Sequence, residues 1–385
     1  MFIEDCITEE TDLINHKINL IASENLPSQR VFNALGSILS QRYSEGYPGK
    51  RYYAGNEVID KIENYAIEKA CELFKCNFAN VQPHSGSQAN AAAIMAFCKP
   101  GDIILGMSLD AGGHLTHGAP FSFSGKFYHA EHYGVDKNGY LDYEELYKKL
   151  YEYQPKLLIV GCSAYSRIID YNYIRTMLDE YNKLHDKCYL MVDMAHIAGL
   201  VATGYHPTPI PYADVITTTT HKTLRGPRGG LILWNNPEYT KKINSAVFPG
   251  IQGGPNNALT AAKAICFEEA LQPEFNEYIK QVILNMSELI RGMKEYGIEV
   301  ITGGSDNHQC LINVRHNNLD GSTVQKLLEE YNIICNKNRI SGDIKNDSGI
   351  RLGTAMITTQ GYKEEDCYHL GQKIGRIISD FSANK

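Results

Sequence analysis

The stretch Thr217-Thr-Thr-Thr-His-Lys222-Thr-Leu-Arg-Gly-Pro-Arg228-Gly-Gly follows one apolar run and precedes another, so it is a turn crowded with hydroxyls and cations. A lysine there can act as a Schiff-base nucleophile, because nearby cations and partial burial lower its pKa and free its lone pair. A solvated basic turn is the plainer alternative. Asp193-Met-Ala-His196 closes another apolar run, at the kind of strand end where α/β sheets place ligands. Its carboxylate can hold an aromatic ring nitrogen protonated, or cap a helix. His84-Ser85-Gly86-Ser87-Gln88 opens an alanine-rich helical run. Unpaired N–H groups and serine hydroxyls at that end suit a dianion, although a simple serine cap reads the same way. Arg351, in Ser348-Gly-Ile-Arg-Leu-Gly-Thr354, can clamp a carboxylate bidentately or form a surface ion pair.

Each segment alone is ambiguous. Together they supply a phosphate cradle, a ring-nitrogen partner, an amine nucleophile and a carboxylate clamp, the set required by a pyridoxal-phosphate enzyme acting on amino acids. Neither a Walker loop nor a Gly-x-Gly-x-x-Gly fingerprint is present, which disfavours a nucleotide as the anion.

The elements that must hold these residues follow from hydrophobic periodicity. From Asn56 to Trp234 helix and strand signals alternate: Ile59, Ile62, Ala66, Ala70 and Leu73 share one helical face, and Leu141 to Tyr153 is amphipathic. Asp102–Leu105, Lys156–Val160, Cys188–Asp193, Val215–Thr219 and Gly230–Trp234 read as strands buried on both faces, with a helix over Tyr173–Leu184. That pattern predicts a mostly parallel sheet of the α/β class. Beyond Asn257 a long helical stretch, broken near Pro273, precedes strands at Glu299–Thr302 and Leu311–Arg315. A helix over Thr323–Tyr331, a strand at Ile350–Gly353 and a terminal helix from Lys363 complete a smaller α+β region. The expected organisation is an arm over 1–25, a large domain over 26–268 and a small domain over 269–385.

The 385 residues carry 44 acidic and 37 basic side chains, a net charge of −7, with no long run of either sign. Nucleic acid is therefore not an expected partner. The N-terminus lacks the apolar core of a signal peptide and no stretch is long enough to span a bilayer, so a cytoplasmic protein is expected. The 10 cysteines include no Cys-x-x-Cys pair and read as reduced, mostly buried thiols. The closest histidine pairs are His114/His117 and His129/His132; without His-Glu-x-x-His or paired cysteines, no metal site is expected.

Leu20-Ile-Ala-Ser-Glu-Asn25, Tyr43 to Tyr53, Asn80 to Asn90, Gly112 to Gly118, Val192 to Leu200, Thr217 to Gly230, Val247 to Pro255 and Ser348 to Thr354 resemble the signatures of serine hydroxymethyltransferases. The resemblance runs from about residue 10 to the C-terminal helix. It implies fold type I, a seven-stranded-type sheet in the large domain, and a homodimer with shared active sites, compatible with further pairing into a tetramer. It implies pyridoxal 5′-phosphate held covalently on Lys222, with serine, glycine and tetrahydrofolate as substrates. Asp193 would pair with the pyridine nitrogen and His114 would stack on the ring. Ser85, Gly86 and Ser87 would hold the phosphate, which Tyr43, Gly253 and Gly254 would reach from the partner. Ser163 and His196 would lie by the phenolic oxygen and substrate carboxylate, Thr219 and His221 would flank the lysine, and Arg228 would keep its amine poised. Ser23 and Arg351 would bind the carboxylate. Glu45 would transfer a proton, with Tyr53 beside the reacting hydroxymethyl group. Tyr52, Leu109, Gly113, Leu115 and Asn338, with Phe248 nearby, would form the folate site.

The chain departs from the family pattern at Ala355-Met356, Gln360, Asn256 and Ala258, and in a shorter loop from Asn338 to Ser348. Two competing readings follow: a folate-independent aldolase or transaldolase of β-hydroxy amino acids, and a catalytically idle regulatory or RNA-binding homologue. The Glu45, Tyr52 and Tyr53 block opposes the first; the intact Lys222, Asp193, His114 and Arg351 set opposes the second.

Overall fold

A computed structural model describes residues 1–343 and 347–383. Two compact units form: residues 25–163 with 168–279, and residues 1–24 with 164–167 and 280–385.

The larger unit holds a seven-stranded sheet. Its strands are β1 (Phe78–Asn80), β2 (Ile103–Met107), β3 (His129–Tyr133), β4 (Leu157–Val160), β5 (Tyr189–Asp193), β6 (Val215–Thr219) and β7 (Gly230–Trp234). Their order across the sheet is β1-β7-β6-β5-β4-β2-β3. Pairing from β6 through β5, β4 and β2 to β3 is parallel; β7 is antiparallel to both β6 and β1. The four residues of β4 are all buried, as are the five of β6 and the five of β7, which explains their continuous apolar or threonine-rich sequences. Strands β1 and β3 escaped the periodicity reading because one is short and the other, His-Ala-Glu-His-Tyr, is polar.

Helices α1 (Glu57–Phe74), α2 (Gly86–Phe97), α3 (Tyr143–Tyr153), α4 (Tyr171–Asn182) and α5 (Asn257–Ala270) accompany the sheet. Ile59, Ala66, Ala70 and Leu73 are buried on α1 as the periodicity requires. Ile62 is only half-buried, and the carboxylate-bearing Glu63 is buried instead. Ala89, Ala92, Ala93, Ile94 and Phe97 of α2 join Ile104, Leu157, Met191, Ile232 and Trp234 in one apolar core. The small side chains of α2 let it lie close to the sheet.

The smaller unit contains a four-stranded antiparallel sheet built from β8 (Glu299–Val300), β9 (Gln309–Asn313), β10 (Asn336–Asn338) and β11 (Gly349–Gly353), in the order β8-β9-β11-β10. The strand expected over Glu299–Thr302 ends at Val300, because Thr302 adopts a left-handed φ of 62° that no strand accommodates. The helix Pro273–Lys294 starts at the proline that breaks the preceding helical stretch. Within this unit Ile18–Asn19 pairs in parallel with Ile333–Ile334, tying the N-terminal segment to the C-terminal one.

Candidate active site

Because β2, β4, β5 and β6 are parallel, the loops leaving their C-terminal ends emerge at one sheet edge; β1 runs in the same direction through two antiparallel steps, so its exit loop emerges there too. Those loops carry Gly113–Leu115, Ser163, Asp193–His196, His221–Lys222 and Ser85–Ser87. This is the edge at which an open α/β sheet binds ligands.

Lys222 follows β6 and is only 8% exposed. The Asn25 side-chain amide donates to its backbone carbonyl at 2.9 Å and to the Tyr278 hydroxyl at 2.7 Å, fixing the turn from below. His221 precedes it, and its Nδ1 is a buried atom without a hydrogen-bond partner. Burial, then the charges of Lys222 and Arg228, hold the His221 imidazole down to about 3, so it is neutral near pH 7. Arg228 itself is exposed. Thr219 ends β6, and its hydroxyl donates to the Ala195 carbonyl at 3.4 Å.

Asp193 ends β5 and pairs in register with Thr217 of β6, which brings the carboxylate strand beside the lysine strand. Its Oδ2 accepts from Asn90 Nδ2 at 2.8 Å and lies 3.0 Å from His117 Nε2; its Oδ1 accepts from the Ala195 N–H at 3.0 Å. Burial alone would raise this carboxyl. The His117 hydrogen bond, with the positive pull of His117 and His114, outweighs it and holds the group well below the usual carboxylate range. Asn90 also donates to Thr116 Oγ1 at 2.7 Å and accepts from Thr217 Oγ1 at 2.6 Å, while His114 Nδ1 meets Thr116 Oγ1 at 2.7 Å. One connected network therefore joins His114, Thr116, Asn90, Asp193, His117 and Thr217. Neither Asn90 nor His117 was singled out from sequence as a partner of Asp193. Their roles arise from contacts across 103 and 76 residues, and only the motif strings in which they sit hinted at them. Ligand atoms of His114, His117 and Asp193 lie within 4.8 Å of one another, a spacing a metal could use, but Asp193 Oδ2 is already engaged by Asn90 and His117.

Ser85 caps the twelve-residue α2, its Oγ accepting from the Gln88 N–H at 3.2 Å, and Ser85 and Ser87 are exposed. Gly86 is required by packing: a Cβ there would lie 2.5 Å from Thr219 Cγ2. The helix start is thereby pressed against the strand that leads to Lys222. Ser163 donates its N–H to the Gly112 carbonyl at 2.7 Å, and the backbone carbonyl of the buried His196 accepts from the Thr223 hydroxyl at 2.9 Å. Gly113 has no room for a side chain, since a Cβ would sit 2.0 Å from the Met107 carbonyl oxygen. Leu109 is half-buried and Leu115 is 47% exposed.

A second group gathers Tyr43, Glu45, Tyr52, Tyr53, Phe248, Gly253 and Gly254. The rings of Tyr43 and Tyr53 lie 5.7 Å apart, and those of Tyr52 and Phe248 lie 5.5 Å apart. A Cβ on Gly253 would lie 3.2 Å from Glu45 Oε1, and one on Gly254 would lie 3.5 Å from Glu45 Cγ. Tyr43 and Tyr52 are 66% and 74% exposed.

In the smaller unit, Arg351 lies on β11, its Nε donating to Asn336 Oδ1 at 3.1 Å. Burial draws its guanidinium down to about 10, which leaves it charged at neutral pH. Ser23 follows Ala22, whose Cα would lie 2.4 Å from a Cβ on Gly353 of the same strand. Asn338 turns its amide onto the Arg339 carbonyl at 2.8 Å. The shortened loop from Asn338 to Ser348 includes residues 344–346, which lie outside the described residues.

A buried amine after one strand, a charged carboxylate held by donors at the end of its neighbour, an orphaned imidazole nitrogen and a hydroxyl-lined helix N-terminus on the same edge fit pyridoxal phosphate. Fold and site are those of a fold type I pyridoxal-phosphate enzyme. A family model described as serine hydroxymethyltransferase matches residues 2–374. The chain is 52% identical to the serine hydroxymethyltransferase of Orientia tsutsugamushi, covering 100% of this chain and 90% of that protein. It is also 52% identical to that of Lactobacillus acidophilus, over 98% of this chain and 92% of the relative. For Rickettsia akari the identity is 51%, over 98% and 91%. The chain belongs to the serine hydroxymethyltransferase family.

Proposed function

We propose that the protein reversibly transfers the hydroxymethyl carbon of serine to tetrahydrofolate, giving glycine and 5,10-methylenetetrahydrofolate. The observation that carries this reading is the buried Lys222 just beyond β6, the strand paired with the one that ends in Asp193. Pyridoxal phosphate, when bound, supplies an electron sink for the carbon whose bond to the hydroxymethyl group breaks. The protein's part is to hold, orient and move protons. The amine of Lys222 would hold the cofactor covalently. Asp193 stays ionised, so it would keep a pyridine nitrogen protonated, and His114 would lie against the ring. Ser85, Gly86 and Ser87 present N–H and O–H donors to the phosphate. His221, neutral at physiological pH, and Thr219 flank the lysine without competing with it for a proton, and Ser163 and His196 orient the cofactor's phenolic oxygen and the substrate.

Ser23 and Arg351 bind the substrate carboxylate. Glu45 moves a proton at the serine hydroxyl oxygen, with Tyr53 orienting that hydroxyl, while Tyr52, Leu109, Gly113, Leu115, Asn338 and Phe248 seat the folate. The exposure of the Tyr43 and Tyr52 rings supports a homodimer in which this group, with Gly253 and Gly254, completes the partner's site. Among the described residues no helix is long and apolar enough to cross a membrane. A cytoplasmic location is part of the same proposal.

The test is serine cleavage by the purified protein with and without tetrahydrofolate. Glycine formation should depend on the folate. A rate indifferent to it would favour the folate-independent aldolase.

A further inference from the structure

Lys263 lies on α5 and is 0% exposed, in a part of the larger unit to which no chemistry has yet been assigned. Its Nζ donates to three backbone carbonyls: Val81 at 2.6 Å, Pro83 at 2.8 Å and Gly230 at 2.8 Å. Three acceptors around one nitrogen require three N–H donors, so the bonded form is the ammonium. Burial draws this group down to about 7, against the opposing pull of Glu63.

The three carbonyls are not scattered. Val81 and Pro83 lie in the segment joining β1 to α2, the segment that delivers Ser85, and Gly230 opens β7. The Gly230 N–H donates to the same Pro83 carbonyl at 3.1 Å, and a Cβ on Gly230 would lie 2.2 Å from the Ser85 carbonyl oxygen. That segment has a second buried anchor in Gln82, whose Nε2 donates to Glu63 Oε1 at 2.7 Å and to the Gly46 carbonyl at 2.9 Å. Glu63 Oε2 accepts in turn from Arg51 Nη2 at 2.6 Å. The loop that starts α2 is thus stitched down by an ammonium on one side and a buried ion pair on the other.

We infer that Lys263 is a positioning residue for the phosphate of the cofactor, acting through the Val81–Ser85 segment. The inference rests on the cofactor reading above. Desolvating a buried cation is strongly unfavourable unless it is fully paired, and packing alone is served as well by an apolar side chain of the same length. The effect should therefore be specific to the phosphate end of the ligand.

The experiment titrates the full-length protein, cleared of cofactor, with pyridoxal phosphate and with pyridoxal, following absorbance. Lys263→Met should weaken pyridoxal phosphate by roughly 10- to 100-fold, the range for hydrogen bonds involving charged groups, and pyridoxal by less than about threefold. Lys263→Gln, which keeps two donors, should recover part of the loss. Equal weakening of both ligands, or of neither, overturns the inference. Should Lys263→Met prove insoluble, Gly229→Ala serves instead, because its Cβ would lie 2.5 Å from Lys263 Cε and displace the amine without removing it. A phosphate-selective loss is again expected, and a loss that ignores the phosphate contradicts the role. Failure of the unmodified protein to bind either ligand would overturn the cofactor reading itself, which separates the two outcomes.

Discussion

The two groups of site residues in the larger unit are built on opposite principles. Around Lys222 and Asp193 the central groups are held from several sides: Asp193 has three hydrogen-bond donors, the Lys222 turn is pinned by Asn25, and Gly86 presses the helix start onto Thr219. Around Glu45 the rings of Tyr43, Tyr52 and Tyr53 face solvent, at 66%, 74% and 49% exposure, with Tyr43 against Tyr53 and Tyr52 against Phe248. Chemistry that needs a shifted pKa must be assembled before the ligand arrives, since protonation states are set by burial and neighbours. Chemistry shared with a diffusing folate and a second subunit must stay open until both have docked. In the proposed homodimer, the difference separates the groups one chain holds in place by itself from those it would offer to a partner.

That contrast can be broken at its strongest point first. Lys222→Ala should abolish multiple turnover and the visible absorbance of the bound cofactor, while the circular dichroism spectrum stays that of a folded protein. A variant that remained yellow, with a borohydride-reducible link to another lysine, would show that the buried group had been misread. Glu45→Gln should leave cofactor and glycine binding intact and lower serine-to-folate transfer by roughly two to four orders of magnitude. Retro-aldol cleavage of a bulky β-hydroxy amino acid, which needs no folate, should suffer far less; equal losses would make Glu45 structural.

A smaller effect sharpens the electrostatic side. His221 binds a proton near pH 6.5 when unfolded and only near pH 3 when folded. Between those values the unfolded chain binds more protons, so folding stability falls as pH falls, and the contribution is fully present above pH 6.5. The urea midpoint of the unmodified protein should thus drop more from pH 7 to pH 5 than that of His221→Gln; parallel drops would contradict the neutral imidazole. Smallest of all, Leu115→Ala should shift stability by no more than about 0.5 kcal/mol, because the side chain is half in solvent, while raising the KM for tetrahydrofolate. A large stability loss with unchanged KM would return Leu115 to the core.

The parallel strands, and with them the edge that carries Asp193 and Lys222, were legible because β4 and β6 are apolar or threonine-rich throughout and bounded by turns. The joint presence of lysine, aspartate, serine-capped helix and arginine was legible as chemistry for the same reason: each closes or opens a recognisable element. What stayed hidden lies in tertiary pairing. His117 stood out only as half of a close histidine pair; its bond to Asp193 comes from a strand 76 residues away. Glu63 sits on α1 beside Ile62, and periodicity assigned the buried place to the isoleucine; the Arg51 and Gln82 partners that let a carboxylate go inside come from outside the helix. Lys263 is hidden in the same way, because no local pattern announces that three carbonyls await it.

The central claim, that the buried group of one chain works with the open group of the other, has a direct test by subunit mixing. Lys222→Ala and Glu45→Gln proteins, each nearly inactive in serine-to-folate transfer, are unfolded or dissociated together, reassembled in equal amounts and assayed. Random pairing makes half the dimers mixed, and each mixed dimer has one site that combines an intact Lys222 from one chain with an intact Glu45 from the other. Activity should therefore return to about one quarter of that of the unmodified protein. Activity that stays at the level of the separate variants, in a mixture verified to contain mixed dimers, would place Lys222 and Glu45 of the same chain in one site and contradict the account.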